Sequence, residues 1–135
     1  MIDTGFLYAM FDRRDSYHGV AVAKSELIHN LPLAIPWPCL YETMNTRFVK
    51  DKLRIRQFET WLKRPHIRFI DDADYRRQAY EITLNNQRYI SLTDMVMRLM
   101  LNDVNQSVKY LFTFNTADFV DICRRRGIEL PCEAL

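Results

Sequence analysis

Apolar residues recur along this chain in two alternating rhythms. The first is a set of short β-rich runs, each halted by a residue that favours turns. Leu33 to Ile35 ends at Pro36, Ile67 to Ile70 at Asp71, Val108 to Phe114 at Asn115, and Ile128 to Leu130 at Pro131. Each of the four reads as a buried strand. The second rhythm has helical spacing: Phe6, Leu7 and Met10; Val20, Ala23, Leu27 and Ile28; Ile55, Phe58 and Leu62. Its best example is Leu92, Met95, Val96, Leu99 and Met100, preceded by Ser91, whose hydroxyl can accept from a first-turn amide. A methionine-rich stripe of this kind is expected to fill the core. Alternation of the two rhythms predicts βα units folding into a mostly parallel sheet flanked by helices.

Polar residues sharpen several boundaries. Arg124 to Arg126 followed by Gly127 marks a helix end, because cations suit the last turn and glycine accepts the left-handed cap. Lys50, Lys52, Arg54 and Arg56 lie beside the Ile55 stripe and form its solvated face. With 135 residues, nearly half of them apolar, no internal repeat and only three glycines, the chain is expected to form one domain over residues 1–135. Its 19 basic and 17 acidic residues nearly balance, so any nucleic-acid contact must come from local patches. Cys39, Cys123 and Cys132 are an odd set without CxxC spacing, which argues against a disulfide framework and a zinc cluster. No run approaches the roughly 20 apolar residues of a membrane span, and Asp3 with the Asp12 to Asp15 stretch breaks up any signal-peptide core. The expected compartment is the cytoplasm, with no membrane partner.

The scarcity of glycine also removes chemistries: GxxxxGK[ST], GxGxxG and GxSxG are all absent, as is HExxH. Carboxylates remain. In a parallel sheet the strands end along one edge, where the following helices begin and ligands bind. Asp3 precedes the Phe6 stripe, Glu42 lies past the Leu33 strand near an expected helix start, Asp94 opens the Leu92 helix, and Asp118 follows the Val108 strand. Taken singly, each can equally be a helix cap; Ser91-x-x-Asp94 has the spacing of a capping box. Asp71 and Asp72 also follow a strand, so position alone does not select the functional acids.

The order of four motifs does more. Ile2-Asp3-Thr4-Gly5-Phe6-Leu7, Leu40-Tyr41-Glu42-Thr43-Met44-Asn45, Ser91-Leu92-Thr93-Asp94 and Thr113-Phe114-Asn115-Thr116-Ala117-Asp118-Phe119 together make the chain resemble a PIN domain. It is similar in particular to the VapC-like toxins of bacterial toxin and antitoxin pairs. The resemblance implies a single PIN-like α/β domain whose central, mostly parallel sheet has four to five strands. It carries the family's acids over as Asp3, Glu42, Asp94 and Asp118, which are both catalytic and metal-binding. Thr4, Thr113 and Asn115 become neighbouring polar groups. Many family members have another acid where Asn115 stands, and more apolar residues before the first aspartate.

By the same resemblance the cofactor is Mg²⁺ or Mn²⁺, and the activity is endoribonuclease cleavage of RNA, tRNA among the possible targets. Hard oxygen ligands suit those ions, and gathered carboxylates need a cation to offset their repulsion. Metal held chiefly by Asp3, Asp94 and Asp118, with Glu42 assisting, would activate a water for in-line attack and leave a 5′-phosphate and a 3′-hydroxyl. Implied partners are an antitoxin, which can insert an Arg or Lys among the acids, and a second copy of the chain in a homodimer. Two alternatives stand beside this one. Histidine-based cleavage needs a paired acid and base, which His18, His29 and His66 do not form in any shared motif. A non-cleaving PIN-like module that binds RNA or protein would retain the same acids as caps or as a metal scaffold.

Overall fold

A computed structural model describes residues 1–85 and 87–133. Helix α1 (Thr4–Phe11) begins where the Asp3 carboxylate accepts from the Phe6 amide at 2.9 Å, satisfying one of the first-turn N–H groups. Helix α2 (His18–Ile28) packs back on α1 and is tied to it by His18 Nδ1 against the Ala9 carbonyl at 2.7 Å. Its buried seam is Ala21 and Ile28, whereas Val20, Ala23 and Leu27 of the expected stripe are exposed. The two frames differ by one residue, about 100° around a helix of 3.6 residues per turn. Small Ala21 permits the close approach to α1.

Strand β1 (Leu33–Pro36) is buried at all four positions and runs directly into α3 (Trp37–Met44), which has Pro38 in its first turn where no N–H is needed. A 3₁₀ turn (Arg47–Lys50) and α4 (Lys52–Leu62), capped by Asp51, bring the chain back to β2 (Ile67–Ile70). The strands pair in parallel, with Leu33 opposite Ile67 and Pro36 opposite Ile70. Helices α5 (Arg76–Asn85) and α6 (Leu92–Asn102) pack together, and α7 (Val120–Arg126) covers α6 before the left-handed cap at Gly127. Phe58 of α4 and Met95, Val96 and Met100 of α6 are buried as their stripes predict, and Met97 and Leu101 widen the buried face of α6.

The molecule is mixed α/β, but the four-to-five-stranded PIN-like central sheet expected from sequence is not formed. Among the described residues there are seven α-helices and one sheet of two parallel strands. The Val108 to Phe114 and Ile128 to Leu130 runs are extended segments that make only the isolated parallel bridges Ile2 to Phe112 and Tyr110 to Glu129. Hydrogen bonds do cross there: Ile2 donates to the Ala34 carbonyl at 3.1 Å, Asp3 to Phe112 at 3.2 Å and Leu111 to Glu129 at 2.9 Å. The partners of the 108–114 segment are too short to extend them into ladders. Asp3 turns the chain into α1 after two residues, and Pro131 has no N–H to continue the last run.

The core gathers around these extended segments. Ile2, Phe6, Leu7, Ile35, Leu111 and Phe112 are fully enclosed, each such burial worth about 1.5–3 kcal/mol. No helix among the described residues is long and apolar enough to cross a membrane.

Candidate active site

Asp3 is the innermost of the sequence-selected acids. Its residue is 6% exposed, and besides capping α1 its carboxylate accepts a short hydrogen bond from the buried Thr113 hydroxyl. The Thr113 oxygen in turn accepts from the Asn115 amide N–H at 3.0 Å. The Asn115 side-chain amide donates to both Asp118 Oδ2 at 2.7 Å and Asp94 Oδ2 at 3.2 Å. Beside Asp3, the Thr4 hydroxyl donates to Glu42 Oε1 at 2.7 Å, joining α1 to α3. All seven residues singled out by sequence therefore lie in linked contacts around the start of α1, although they come from four distant stretches of chain.

Local sequence explains each placement. Ser91 accepts from the Asp94 amide at 3.2 Å and starts α6 so that Asp94 stands in its first turn. Asp118 ends a 3₁₀ turn over Thr116–Asp118. Glu42 is the exception to its expected setting: it sits near the end of α3, because that helix starts five residues earlier, straight off β1. It is exposed there, whereas Asp94 and Asp118 are half-buried.

The charges oppose one another. The Asp3 carboxyl is pushed up to about 6, first by burial and also by the Asp94 and Glu42 charges, against the lowering effect of the bonds from Thr113 and Phe6. Asp94 is also raised, first by burial and then by Asp118 and Glu42, while Ser91 and Asn115 act in the opposite sense. Asp3 and Asp94 thus both feel the Glu42 charge, and Asp94 feels that of Asp118 as well. Cys39, beneath them on α3, is pushed up to about 12, chiefly by burial, and stays a thiol.

One positioning residue escapes the sequence reading. Arg98 donates from Nη1 to the Asp118 carbonyl at 2.7 Å and grips both Asp121 oxygens, at 2.7 and 2.8 Å. Its bidentate grip is directed at Asp121, so most of its charge is spent outside the cluster. The i, i+4 spacing from Asp94 placed Arg98 on the same face of α6 and was the available signal.

The donor set is hard oxygen throughout, which fits Mg²⁺ or Mn²⁺, and the raised acids register negative charge that a divalent cation would offset. The acids are not preassembled as ligands, however. Among the described residues no three His, Cys, Asp or Glu side chains form a group able to hold a metal ion. The Asn115 amide holds one oxygen of Asp94 and one of Asp118, so a cation there would take their other oxygens, displace the amide or bind through waters. Comparison with protein-family models, curated proteins and solved structures yields no match.

Proposed function

We infer that this chain is a metal-dependent endoribonuclease of the VapC-like PIN kind, acting in the cytoplasm. The observation that carries the reading is the convergence of Asp3, Glu42, Asp94 and Asp118 into one network in which burial and mutual repulsion raise two of the acids. Acids that cap helices on a folded surface are ordinarily stabilising, whereas Asp3 and Asp94 are penalised by burial and by neighbouring charge, the pattern of a site kept for chemistry.

Asp3, Asp94 and Asp118 would hold Mg²⁺ or Mn²⁺, with Glu42 assisting. The bound cation supplies Lewis-acid activation of water and neutralises charge on the phosphate. Thr113 orients Asp3 through its hydroxyl, and the Asn115 amide aligns Asp94 with Asp118. Glu42, exposed and steadied by Thr4, stands on the solvent side, where it can accept a proton from water. A cognate antitoxin would silence the site by placing an Arg or Lys among these acids, and a second copy of the chain would complete a homodimer.

The test is incubation of the purified protein with labelled tRNA and single-stranded RNA in Mg²⁺, Mn²⁺ or chelator, alongside Asp94→Asn. Cleavage by the wild type with metal alone, giving 5′-phosphate and 3′-hydroxyl ends, is the expected outcome. Cleavage that persists in chelator would sink the metal mechanism. Folded protein that binds metal and RNA but yields no product would favour the non-cleaving module.

A further inference from the structure

We propose that the groove lined by Trp37 and Tyr41 is a subsite for one unpaired nucleobase of the RNA, flanking the phosphate held at the carboxylates; this rests on the nuclease reading above. The groove encloses about 560 Å³, within the roughly 300–1,000 Å³ typical of small-ligand sites. It opens off the ends of both parallel strands: Trp37 follows β1 directly, and Asp71 and Asp72 follow β2. Ligands of open parallel sheets bind at that edge.

The groove and the candidate active site are built on the same two helices. Trp37 and Tyr41 share α3 with Glu42, and Leu92 and Thr93 immediately precede Asp94 on α6. A substrate strand with its phosphate at the acids therefore has a neighbouring base within reach of the aromatic rings.

The lining has the chemistry of base recognition. Tyr41 is 69% exposed, Trp37 37% and Leu92 45%, so three large apolar side chains face solvent in one place. Trp37 is held rigid by stacking on Phe69, with ring centroids 4.9 Å apart and planes inclined by 28°. Tyr41 lies 6.0 Å from Trp37. Aromatic faces of this kind stack on unpaired bases whatever their sequence.

Asp71 and Asp72 supply selectivity. Both are acceptors on the groove wall, partly neutralised by Arg76 at 3.9 and 3.4 Å. They repel phosphate and attract an exocyclic amino group, so the subsite favours cytosine, adenine or guanine over uracil. Asp71 and Asp72, which match no acid of the PIN family, thereby acquire a role.

Two readouts test this. Quenching of 2-aminopurine, placed at successive positions of a short single-stranded RNA, reports stacking without any cut. Sequencing of product ends from a randomised RNA pool reports base preference. Wild-type protein is expected to quench the probe at one position; Tyr41→Ala should weaken binding about five- to hundredfold, and Tyr41→Phe should preserve it. The double variant Asp71→Asn with Asp72→Asn should erase the amino-base preference while leaving the quench. Circular dichroism of each variant separates loss of stacking from loss of fold.

Quenching and binding that ignore Tyr41→Ala in a folded variant overturn the subsite, as does wild-type protein that binds no RNA. Metal-dependent cleavage without a Tyr41-dependent quench at any probe position overturns the subsite while sparing the nuclease, and cleavage with no base preference overturns the selectivity assigned to Asp71 and Asp72. Tyr41-dependent quenching without cleavage in any metal keeps the subsite and overturns the nuclease.

Discussion

Asp3 meets two demands that conflict. Its oxygen is needed to start α1, yet its charge is penalised by burial and by Asp94 and Glu42. An ordinary aspartate ionises near 3.9, whereas the folded-state value here is about 6. Between those values the folded chain binds more protons than the unfolded one, so the contribution of Asp3 to stability falls as pH rises through about 4 to 6 and stays lost above. Asp3→Asn keeps a cap acceptor but removes the ionisation. It should abolish cleavage while stabilising the chelated protein at pH 7 by about 1–3 kcal/mol. Urea unfolding from pH 4 to 7 would measure this, and parallel curves for the two proteins would refute it. Asn115 offers the complementary change. Asn115→Asp replaces an amide that bridges two carboxylates with another negative charge. It should lower the melting midpoint in chelator and increase the gain from Mn²⁺; equal Mn²⁺ gains would place the cation elsewhere.

Among the elements, those with wide apolar stripes were legible. Helices α4, α6 and α7 follow from Phe58, from Met95, Val96 and Met100, and from the Arg124 to Gly127 ending. Helix α5 left no such trace, because Ala79 is its one buried residue among Arg76, Arg77, Gln78, Tyr80 and Glu81. For α2 the Ile28 end of the stripe is buried but Val20, Ala23 and Leu27 lie on the exposed side, since periodicity does not tell which of two adjacent frames meets a neighbour. The cap of α7 also supplies a test. Gly127 adopts φ +69°, where a Cβ is strained, so Gly127→Ala should cost about 1 kcal/mol in thermal or urea unfolding. Arg98 carries more, because it binds the Asp118 backbone and Asp121 from one side chain. Arg98→Ala should cost about 1–3 kcal/mol and reduce cleavage by loosening Asp118, with the metal dependence unchanged in kind. A variant as stable and active as the wild type would remove that role.

For the whole molecule, the sheet was overestimated for a definite reason. Apolar runs at 108–114 and 128–130 are extended and buried in part, as strands are, but sequence does not reveal how many residues find a partner in register. The acids were legible only through the order of the PIN-like motifs; singly, Asp3 and Asp94 look like the helix starters they also are. If they hold a cation, Mg²⁺ or Mn²⁺ at about a hundred times its dissociation constant should add about 2.7 kcal/mol to the wild type and little to Asp94→Asn. Thermal unfolding with and without chelator gives the comparison.

The extended start of the chain has one more consequence. Ile2 donates to Ala34 on one side while Asp3 donates to Phe112 on the other, and Asp3 receives its hydroxyl from Thr113. During translation the first residues therefore emerge long before the segment that holds them, and the carboxylates cannot close into a network until residues 112–118 have been made. A ribosome-bound nascent chain carries an incomplete site. The geometry itself thus leaves Asp3 without its Thr113 partner, and Asp94 without the Asn115 amide, until that later segment has been made and folded back.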